Sequence, residues 1–257
     1  TLAKKGFTVR LWSRRPEQAE KINKIKENVQ YLPGVVIPYN ITCMTDLEKV
    51  LYNCSYIVLS VPTHALRGLA KQIKGLIKPE DILINTAKGI EPNTLMLMSE
   101  ILEEEIPHIS PRLAVLSGPS HAEEVGKEQP TAEVVASQDE DISKKIQDLF
   151  ITPKFRVYTN SDIRGVEIGG ALKNVIALAT GISDGLGFGD NAKAGLITRG
   201  MTEIARLGIK MGARPSTFAG LTGIGDLVVT CTSMHSRNRR AGIAIGKGKN
   251  LTEILEN

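Results

Sequence analysis

The sequence predicts an α/β domain with a mostly parallel β-sheet, followed by a mainly α-helical domain. Up to about residue 159, short apolar runs alternate with helical patterns, and this alternation is typical of β-α-β units. Residues 56–61 are apolar except for Ser60, as expected for a strand that is covered on both faces. Beyond residue 160 the strand signals fade, and helical stretches rich in small residues take over. We therefore expect two domains, residues 1–159 and residues 160–257.

The individual elements follow from local signals. The opening residues have the pattern of a last helical turn that ends at Gly6, because glycine is a preferred helix C-cap. The predicted strands of the first domain cover residues 7–12, 56–61, 81–85, 113–116 and 131–136. Its predicted helices cover residues 17–27, 46–51, 64–76, 94–105, a stretch from about 121, and 141–149. The predicted helices of the second domain cover residues 166–180, 192–211 and 215–221.

The composition argues against several classes of function. The net charge of +4 is scattered and only 4% of the residues are aromatic, which disfavours a nucleic-acid-binding surface. The mild basic excess suits a small anionic substrate. The three cysteines form no CxxC pair, so we expect reduced thiols in a cytoplasmic protein without a metal site. No apolar run reaches the ~18 residues of a membrane span, and we expect no signal peptide.

One lysine interrupts the apolar, small-residue run of residues 166–180. Lys173 stands there next to Asn174, in a stretch that reads as a buried helix. Burial of an ammonium group is costly unless the group is paired or used. The run alone leaves two interpretations open. Lys173 either extends its stem along the helix and keeps its charge in water, or it serves a functional site.

Four loops follow predicted strands and should meet at one edge of the sheet, where ligands bind in open parallel sheets. Their small residues allow close backbone approach, and the helix N-termini that follow can hold anions. This pattern indicates a phosphate-bearing cofactor. Arg14 and Arg15 favour the 2′-phosphate of NADP, although a solvated surface pair and NAD remain alternatives. Tyr31 either stacks on the cofactor or fills a gap. The four loops are residues 13–15, 61–64, 86–89 and 117–120.

Three further positions each allow a functional and a structural interpretation. Lys88 is either a cation at the edge of a cleft or an exposed turn lysine. Asp226 follows two glycines and either serves a site or caps a helix. Residues 236–238 (Ser-Arg-Asn) either bind a phosphate through charge-assisted hydrogen bonds or form a solvated basic face.

Together, these segments resemble NAD(P)-dependent glycerol-3-phosphate dehydrogenase of the bacterial type. The resemblance runs from Gly6 to the last residue. It implies a Rossmann-like first domain whose opening strand and Gly-rich loop should precede Thr1, and a further portion that should follow Asn257. It also implies a cytoplasmic homodimer that interconverts sn-glycerol 3-phosphate and dihydroxyacetone phosphate for glycerophospholipid synthesis, with NADP or NAD as cofactor. The segments are Gly-Ala-Leu-Lys-Asn-Val-Ile-Ala (170–177), Leu-Thr-Gly-Ile-Gly-Asp-Leu (221–227) and Ser-Arg-Asn-Arg (236–239).

The resemblance also implies a role for each matching position. Lys173 would be the general acid/base. We expect Lys88 and Arg237 to lower the pKa of Lys173 by like-charge repulsion, and Asp226 to oppose that shift. The implied substrate contacts are Lys88, Gly118, Ser120, Lys173, Asp226, Ser236, Arg237 and Asn238. The implied dinucleotide contacts are Arg14, Arg15, Tyr31, Lys88, Ala122 and Arg237.

Two other functions fit parts of the sequence. A related two-domain NADP-dependent reductase, of the ketopantoate or hydroxyisobutyrate type, also places a lysine in its helical domain. Such an enzyme would not need residues 236–238 to bind a phosphate. A non-catalytic dinucleotide-binding protein is the second alternative, and the presence of Lys88, Lys173 and Asp226 argues against it.

Overall fold

The computed structural model of the chain describes residues 1–255. Alternating strands and helices occupy the first 160 residues, and helices occupy the rest. The strands are β1 (Val9–Trp12), β2 (Glu27–Asn28), β3 (Leu32–Val36), β4 (Ile41–Met44), β5 (Tyr56–Leu59), β6 (Ile82–Asn85), β7 (Leu113–Ser117), β8 (Thr131–Ser137) and β9 (Phe155–Asn160). The helices up to residue 150 are α1 (Pro16–Ile25), α2 (Leu47–Leu51), α3 (Thr63–Ile73), α4 (Met98–Glu105), α5 (Ala122–Gly126) and α6 (Glu140–Phe150). Those that follow are α7 (Ile163–Gly185), α8 (Asp190–Lys210), α9 (Pro215–Phe218), α10 (Asp226–Thr232), α11 (Arg237–Gly246) and α12 (Leu251–Leu255).

The main sheet has five strands in the order β5-β6-β7-β8-β9. All neighbouring pairs are parallel except β7 and β8, so the predicted mostly parallel sheet is confirmed. Helices α3 and α4 cover one face around Leu83 and Leu113, and α6 covers the other face around Ile84 and Leu116. A parallel sheet with helices on both faces is a Rossmann-like fold, as predicted. The prediction that the second part of the chain is mainly helical is also confirmed.

Four strands were not predicted from the sequence, and the expected burial of a fifth was wrong. The unpredicted strands are β2, β3, β4 and β9, and in β9 apolar residues alternate with polar ones because it is the edge strand of the sheet. Strand β5 was expected to be buried on both faces. Instead, Tyr56 and Val58 are each 37% exposed, because they line a groove between β5 and β1. Strand β1 pairs with β4 in a separate parallel ribbon, and no strand among residues 1–255 lies between β1 and β5.

Helix α7 is the central element of the helical part. Among the described residues it is the one helix that is long and apolar enough to cross a membrane. However, 56% of its most apolar window is buried inside the protein, where α7 packs against α8, α10 and α11. Its apolar character is therefore accounted for by its position in the core of the helical part.

Both ends of α7 are anchored. Near its start, the Glu167 carboxylate accepts hydrogen bonds from the backbone N–H of Ser99, at 2.9 Å, and from the Ser99 hydroxyl. These bonds satisfy a free N–H at the start of α4, and burial raises the pKa of Glu167 to about 7. Near its end, α7 packs directly on α11 through glycines. A Cβ at Gly242 would lie 2.2 Å from the carbonyl oxygen of Leu178.

The glycine contact between α7 and α11 predicts a measurable loss of stability. In Gly242→Ala, the added methyl group has no space, so we expect the free energy of unfolding to fall by about 2 kcal/mol. The matched control is Gly195→Ala in α8, where a Cβ meets no atom within 4 Å. That substitution should raise the stability by up to about 1 kcal/mol through helix propensity. Chemical denaturation followed by circular dichroism measures both, and equal effects would contradict the proposed contact.

Candidate active site

A cluster of charged side chains lies where the carboxyl ends of β6 and β7 meet α7 and α10. Lys173, at the middle of α7, is only 8% exposed, and Asp226, at the start of α10, is 1% exposed. The Lys173 Nζ lies 2.5 Å from Asp226 Oδ1. The Lys88 Nζ, from the loop after β6, lies 2.8 Å from Asp226 Oδ2 and 2.8 Å from the carbonyl oxygen of Gly118. One buried carboxylate therefore bridges two ammonium groups that come from different parts of the chain.

Glycines in α7 and before α10 allow these elements to approach. Asp226 follows a π-helical turn (Leu221–Gly225), and a Cβ at Gly169 of α7 would lie 2.4 Å from the Thr222 carbonyl oxygen of that turn. A Cβ at Gly170 would lie 3.3 Å from the Lys88 stem. The two glycines lower the helix propensity of α7, but they let Asp226 and Lys88 reach Lys173.

The surroundings lower the pKa of Lys173 to about 8. Burial is the main cause, because it disfavours the charged amine. Repulsion from Lys88 acts in the same direction, and Asp226 opposes it, as expected. The expected contribution of Arg237 is not among the main causes, and its side chain is exposed.

Thr230, which was not predicted from the sequence, completes the contacts of Lys173. Its hydroxyl accepts a hydrogen bond from Lys173 Nζ at 2.8 Å and donates one to the Asp226 carbonyl oxygen at 2.6 Å. The two residues are four positions apart, so one helical face presents both to Lys173. That Asp-x-x-x-Thr spacing was the signal available in the sequence.

The loop after β7 presents Gly118 and Ser120 to the same cluster. Gly118 has a φ of +152° and packs against β8, where a Cβ would lie 3.0 Å from Glu133 Cα. The Ser120 hydroxyl donates a hydrogen bond to the buried Glu133 carboxylate, a residue that the sequence analysis did not select. Only glycine fits position 118 without strain, so the loop is held close to the strand.

The predicted phosphate-binding residues lie at the start of α11. Ser236 is buried and serves as the N-cap, because its hydroxyl accepts a hydrogen bond from the backbone N–H of Arg239. Arg237 and Asn238 are exposed in the first turn, and within residues 1–255 their side chains form no hydrogen bond or ion pair. They are available to an anion at a helix N-terminus. Arg239 is instead paired with Asp184, at 2.7 Å.

The predicted dinucleotide contacts are spread along the rim of the first domain. The Arg15 guanidinium donates to the Tyr31 hydroxyl at 3.1 Å and lies 5.8 Å from the centre of its ring. Arg14 is exposed, and Ala122 lines an apolar groove together with Val35. The structure thus joins Arg15 and Tyr31, but it does not bring Ala122 into the Lys173 cluster.

Two unpaired polar atoms lie near the charged cluster. The Ser117 hydroxyl and the His121 Nε2 are buried and have no hydrogen-bond partner. Ser117 lies at the carboxyl end of β7 next to Gly170, and His121 packs against His235 with 5.6 Å between the ring centres. Together with the basic rim, these unused groups fit a polar, phosphate-bearing cofactor. Among the described residues, no three or more His, Cys, Asp or Glu side chains come together in a group that could hold a metal ion.

This fold and this cluster define a two-domain, dinucleotide-dependent dehydrogenase that carries a buried lysine in its helical part. Residues 1–143 match the family model for the N-terminus of NAD-dependent glycerol-3-phosphate dehydrogenase, and residues 162–257 match the model for its C-terminus. The chain belongs to this family and is an NAD(P)-dependent oxidoreductase.

Individual relatives agree with the family assignment. The chain is 57% identical to a glycerol-3-phosphate dehydrogenase (NAD(P)+) of Pelotomaculum thermopropionicum, over 99% of this chain and 73% of that protein. It is 54% identical to the enzyme of that name from Clostridium tetani, over 99% of this chain and 72% of the relative. The crystal structure of glycerol-3-phosphate dehydrogenase from Coxiella burnetii matches with a TM-score of 0.94 at 39% identity, over 99% and 78% of the two chains. These relatives support the dehydrogenase rather than the two alternative functions.

The bridging carboxylate leads to a prediction about Lys173. In Asp226→Asn, the charge that favours the ammonium form is removed, so the pKa of Lys173 should fall below its value of about 8. Competitive acetylation at a series of pH values, followed by peptide mass spectrometry, measures this pKa. The exposed Lys144, which is paired with Glu140, is the internal control and should not change. An unchanged or raised pKa of Lys173 would contradict the electrostatic account.

Proposed function

We propose that Lys173 is the general acid/base of an enzyme that interconverts sn-glycerol 3-phosphate and dihydroxyacetone phosphate. The observation that carries this proposal is the buried Lys173 ammonium, held by Asp226 and Thr230 at the edge of the sheet. A general acid works best when its pKa lies near the working pH, and a pKa of about 8 meets that condition.

In the reduction of the ketone, negative charge develops on the carbonyl oxygen. The Lys173 ammonium stabilises this charge and donates a proton to the oxygen. Asp226 keeps the amine in place and supports its charged form, while Lys88 contributes a second positive charge. In the reverse direction, the neutral Lys173 amine accepts the proton from the C2 hydroxyl. Ketone reduction should therefore weaken as the pH rises above about 8.

The substrate phosphate is bound at the start of α11. Arg237 contributes a charge-assisted hydrogen bond, and Asn238 contributes neutral ones. Ser236 assists mainly by capping the helix, since its hydroxyl already accepts a bond from Arg239. Both free side chains lie at the positive end of the helix dipole, which favours a dianion. Gly118 and Ser120 are the substrate contacts on the side of the sheet.

The cofactor is NAD or NADP, and when bound it supplies or accepts the hydride. We assign Arg14, Arg15, Tyr31, Lys88, Ala122 and Arg237 to its binding. Arg15 donates a hydrogen bond to Tyr31, and the neighbouring Arg14 is exposed. Two guanidinium groups at this position suit the 2′-phosphate of NADP by bidentate bonding.

Three broader points complete the proposal. The division into a dinucleotide-binding domain (residues 1–159) and a catalytic domain (residues 160–257) follows the change from sheet to helices.

We propose that the enzyme acts in the cytoplasm, where it supplies glycerol 3-phosphate for glycerophospholipid synthesis. We also propose a homodimer, since α7, α8 and the turn between them expose large apolar side chains. These are Val175, Leu186, Leu196, Leu207 and Ile209.

Substitution of the proposed general acid tests the mechanism. In the full-length enzyme, Lys173→Ala should lower kcat for dihydroxyacetone phosphate by roughly 10²-fold or more, the usual contribution of a general acid. Steady-state oxidation of NADPH or NADH, followed by the absorbance of the reduced nicotinamide, measures this loss. The control Lys144→Ala removes an exposed lysine of α6 and should retain full turnover. Near-normal turnover of Lys173→Ala would end the assignment.

Substitution of the proposed phosphate anchor should affect binding rather than chemistry. Arg237→Ala should raise KM for dihydroxyacetone phosphate by about 10-fold or more with a smaller change in kcat, because a charge-assisted bond to the phosphate is lost. The matched control is Arg240→Ala in the same helix, whose guanidinium bonds to the Met234 carbonyl oxygen. If both variants change KM equally, the effect is one of net charge and Arg237 is not the anchor.

A further inference from the structure

One buried carboxylate near the catalytic cluster has no role in the mechanism above. Glu133 lies in β8, whose other central residues are apolar, and it is only 6% exposed. A buried carboxylate is costly unless it is paired or hydrogen-bonded, so its position requires a compensating interaction. Its hydrogen-bond partner among residues 1–255 is the Ser120 hydroxyl.

The contact with Glu133 fixes the direction of the Ser120 hydrogen bond. A serine hydroxyl has one hydrogen to donate and two lone pairs that accept. The Gly118 carbonyl oxygen lies 3.3 Å from Ser120 Oγ, farther away than the Glu133 carboxylate oxygen. The charged, nearer oxygen is the stronger acceptor, so the hydroxyl hydrogen points to Glu133. The lone pairs of Ser120 Oγ are then left to accept a hydrogen bond from another group.

Ser120 belongs to the same network as the catalytic lysine. The Gly118 carbonyl oxygen in its loop accepts a hydrogen bond from Lys88, which is paired with Asp226, and Asp226 is paired with Lys173. Burial raises the pKa of Glu133, and the charge of Asp226 adds to this rise, whereas the hydrogen bond from Ser120 and the charges of Lys88 and Lys173 favour the ionised form. The charges that face Glu133 thus come from the loop after β6, from α7 and from α10, which together build the active site.

We propose that Glu133 is a positioning residue that makes Ser120 a hydrogen-bond acceptor for the C1 hydroxyl of the substrate. This inference rests on the proposed function and names the part of the substrate that Ser120 recognises. With Glu133 ionised, Ser120 accepts a hydrogen bond from the C1 hydroxyl and discriminates against a ketone in which C1 is a methyl group. With Glu133 protonated, its own O–H competes for the lone pairs of Ser120, and the preference weakens.

A substrate pair tests this role directly. The full-length enzyme is assayed with dihydroxyacetone phosphate and with hydroxyacetone phosphate, in which hydrogen replaces the C1 hydroxyl. The ratio of the two kcat/KM values is the preference for the hydroxyl. We expect a ratio of at least about 10 for the unmodified enzyme and a several-fold smaller ratio for Glu133→Ala. Glu133→Gln, whose amide oxygen still accepts from Ser120, should retain an intermediate ratio.

Controls separate positioning from structural support. Val134→Ala perturbs the next position of β8, whose side chain lies in an apolar cluster with Ile163, and should leave the ratio unchanged. If Glu133→Ala lowers kcat/KM for both ketones by the same factor, or keeps the original ratio, the inference is wrong. If the unmodified enzyme does not reduce dihydroxyacetone phosphate, the proposed function itself fails.

The pH dependence of the ratio gives a second, independent readout that does not need Glu133→Ala to fold. Because the pKa of Glu133 is raised, the carboxylate becomes protonated early as the pH falls, and the ratio should decrease with it. Titration of Lys173 affects both ketones alike and cancels in the ratio. In Glu133→Gln the ratio should not depend on pH. Parallel pH profiles of the ratio in the two proteins would overturn the proposal.

Discussion

The structure depends on one carboxylate shared by two lysines. Asp226 accepts a hydrogen bond from Lys173 on one oxygen and from Lys88 on the other, although Lys88 follows a strand of the sheet and Lys173 lies in the central helix. The buried ammonium of Lys173 and the half-buried ammonium of Lys88 would repel each other without it. Burial and repulsion from Lys88 together outweigh the effect of Asp226, so Lys173 retains a lowered pKa and a proton that it can release near neutral pH.

Small residues are what make this arrangement possible. The central helix is a poor helix former at residues 169 and 170, yet these are the positions where the π-helical turn before Asp226 and the stem of Lys88 approach it. Glycine is unfavourable for the helix at these two positions, but the site requires it because a larger residue would prevent the close approach. Such a conflict is typical of functional positions in otherwise consistent sequences.

The sequence predicted the alternation of strands and helices and most of the charged cluster, since both follow from periodicity and from segments with specific chemistry. It did not predict β9, because an edge strand with alternating polar residues resembles a loop. It also did not single out Thr230 or Glu133. Their roles come from contacts across α7 and between β7 and β8, which no local pattern records. The exposure of β5 depends on which strands lie beside it, and this too is a property of the assembled sheet.

The anchoring of α7 at both ends has a mechanical consequence for the lysine at its midpoint. Glu167 fixes one end to α4, and the glycine contact with α11 fixes the other. A slip of a single residue along the helix axis would displace the amine by about 1.5 Å. The contacts of Lys173 with Asp226 and Thr230 are only 2.5 and 2.8 Å long, so they would not survive such a slip. The axial position of α7 thus determines whether the Lys173 amine is in place to donate a proton. The anchoring contacts at the two ends of α7 help to fix that position.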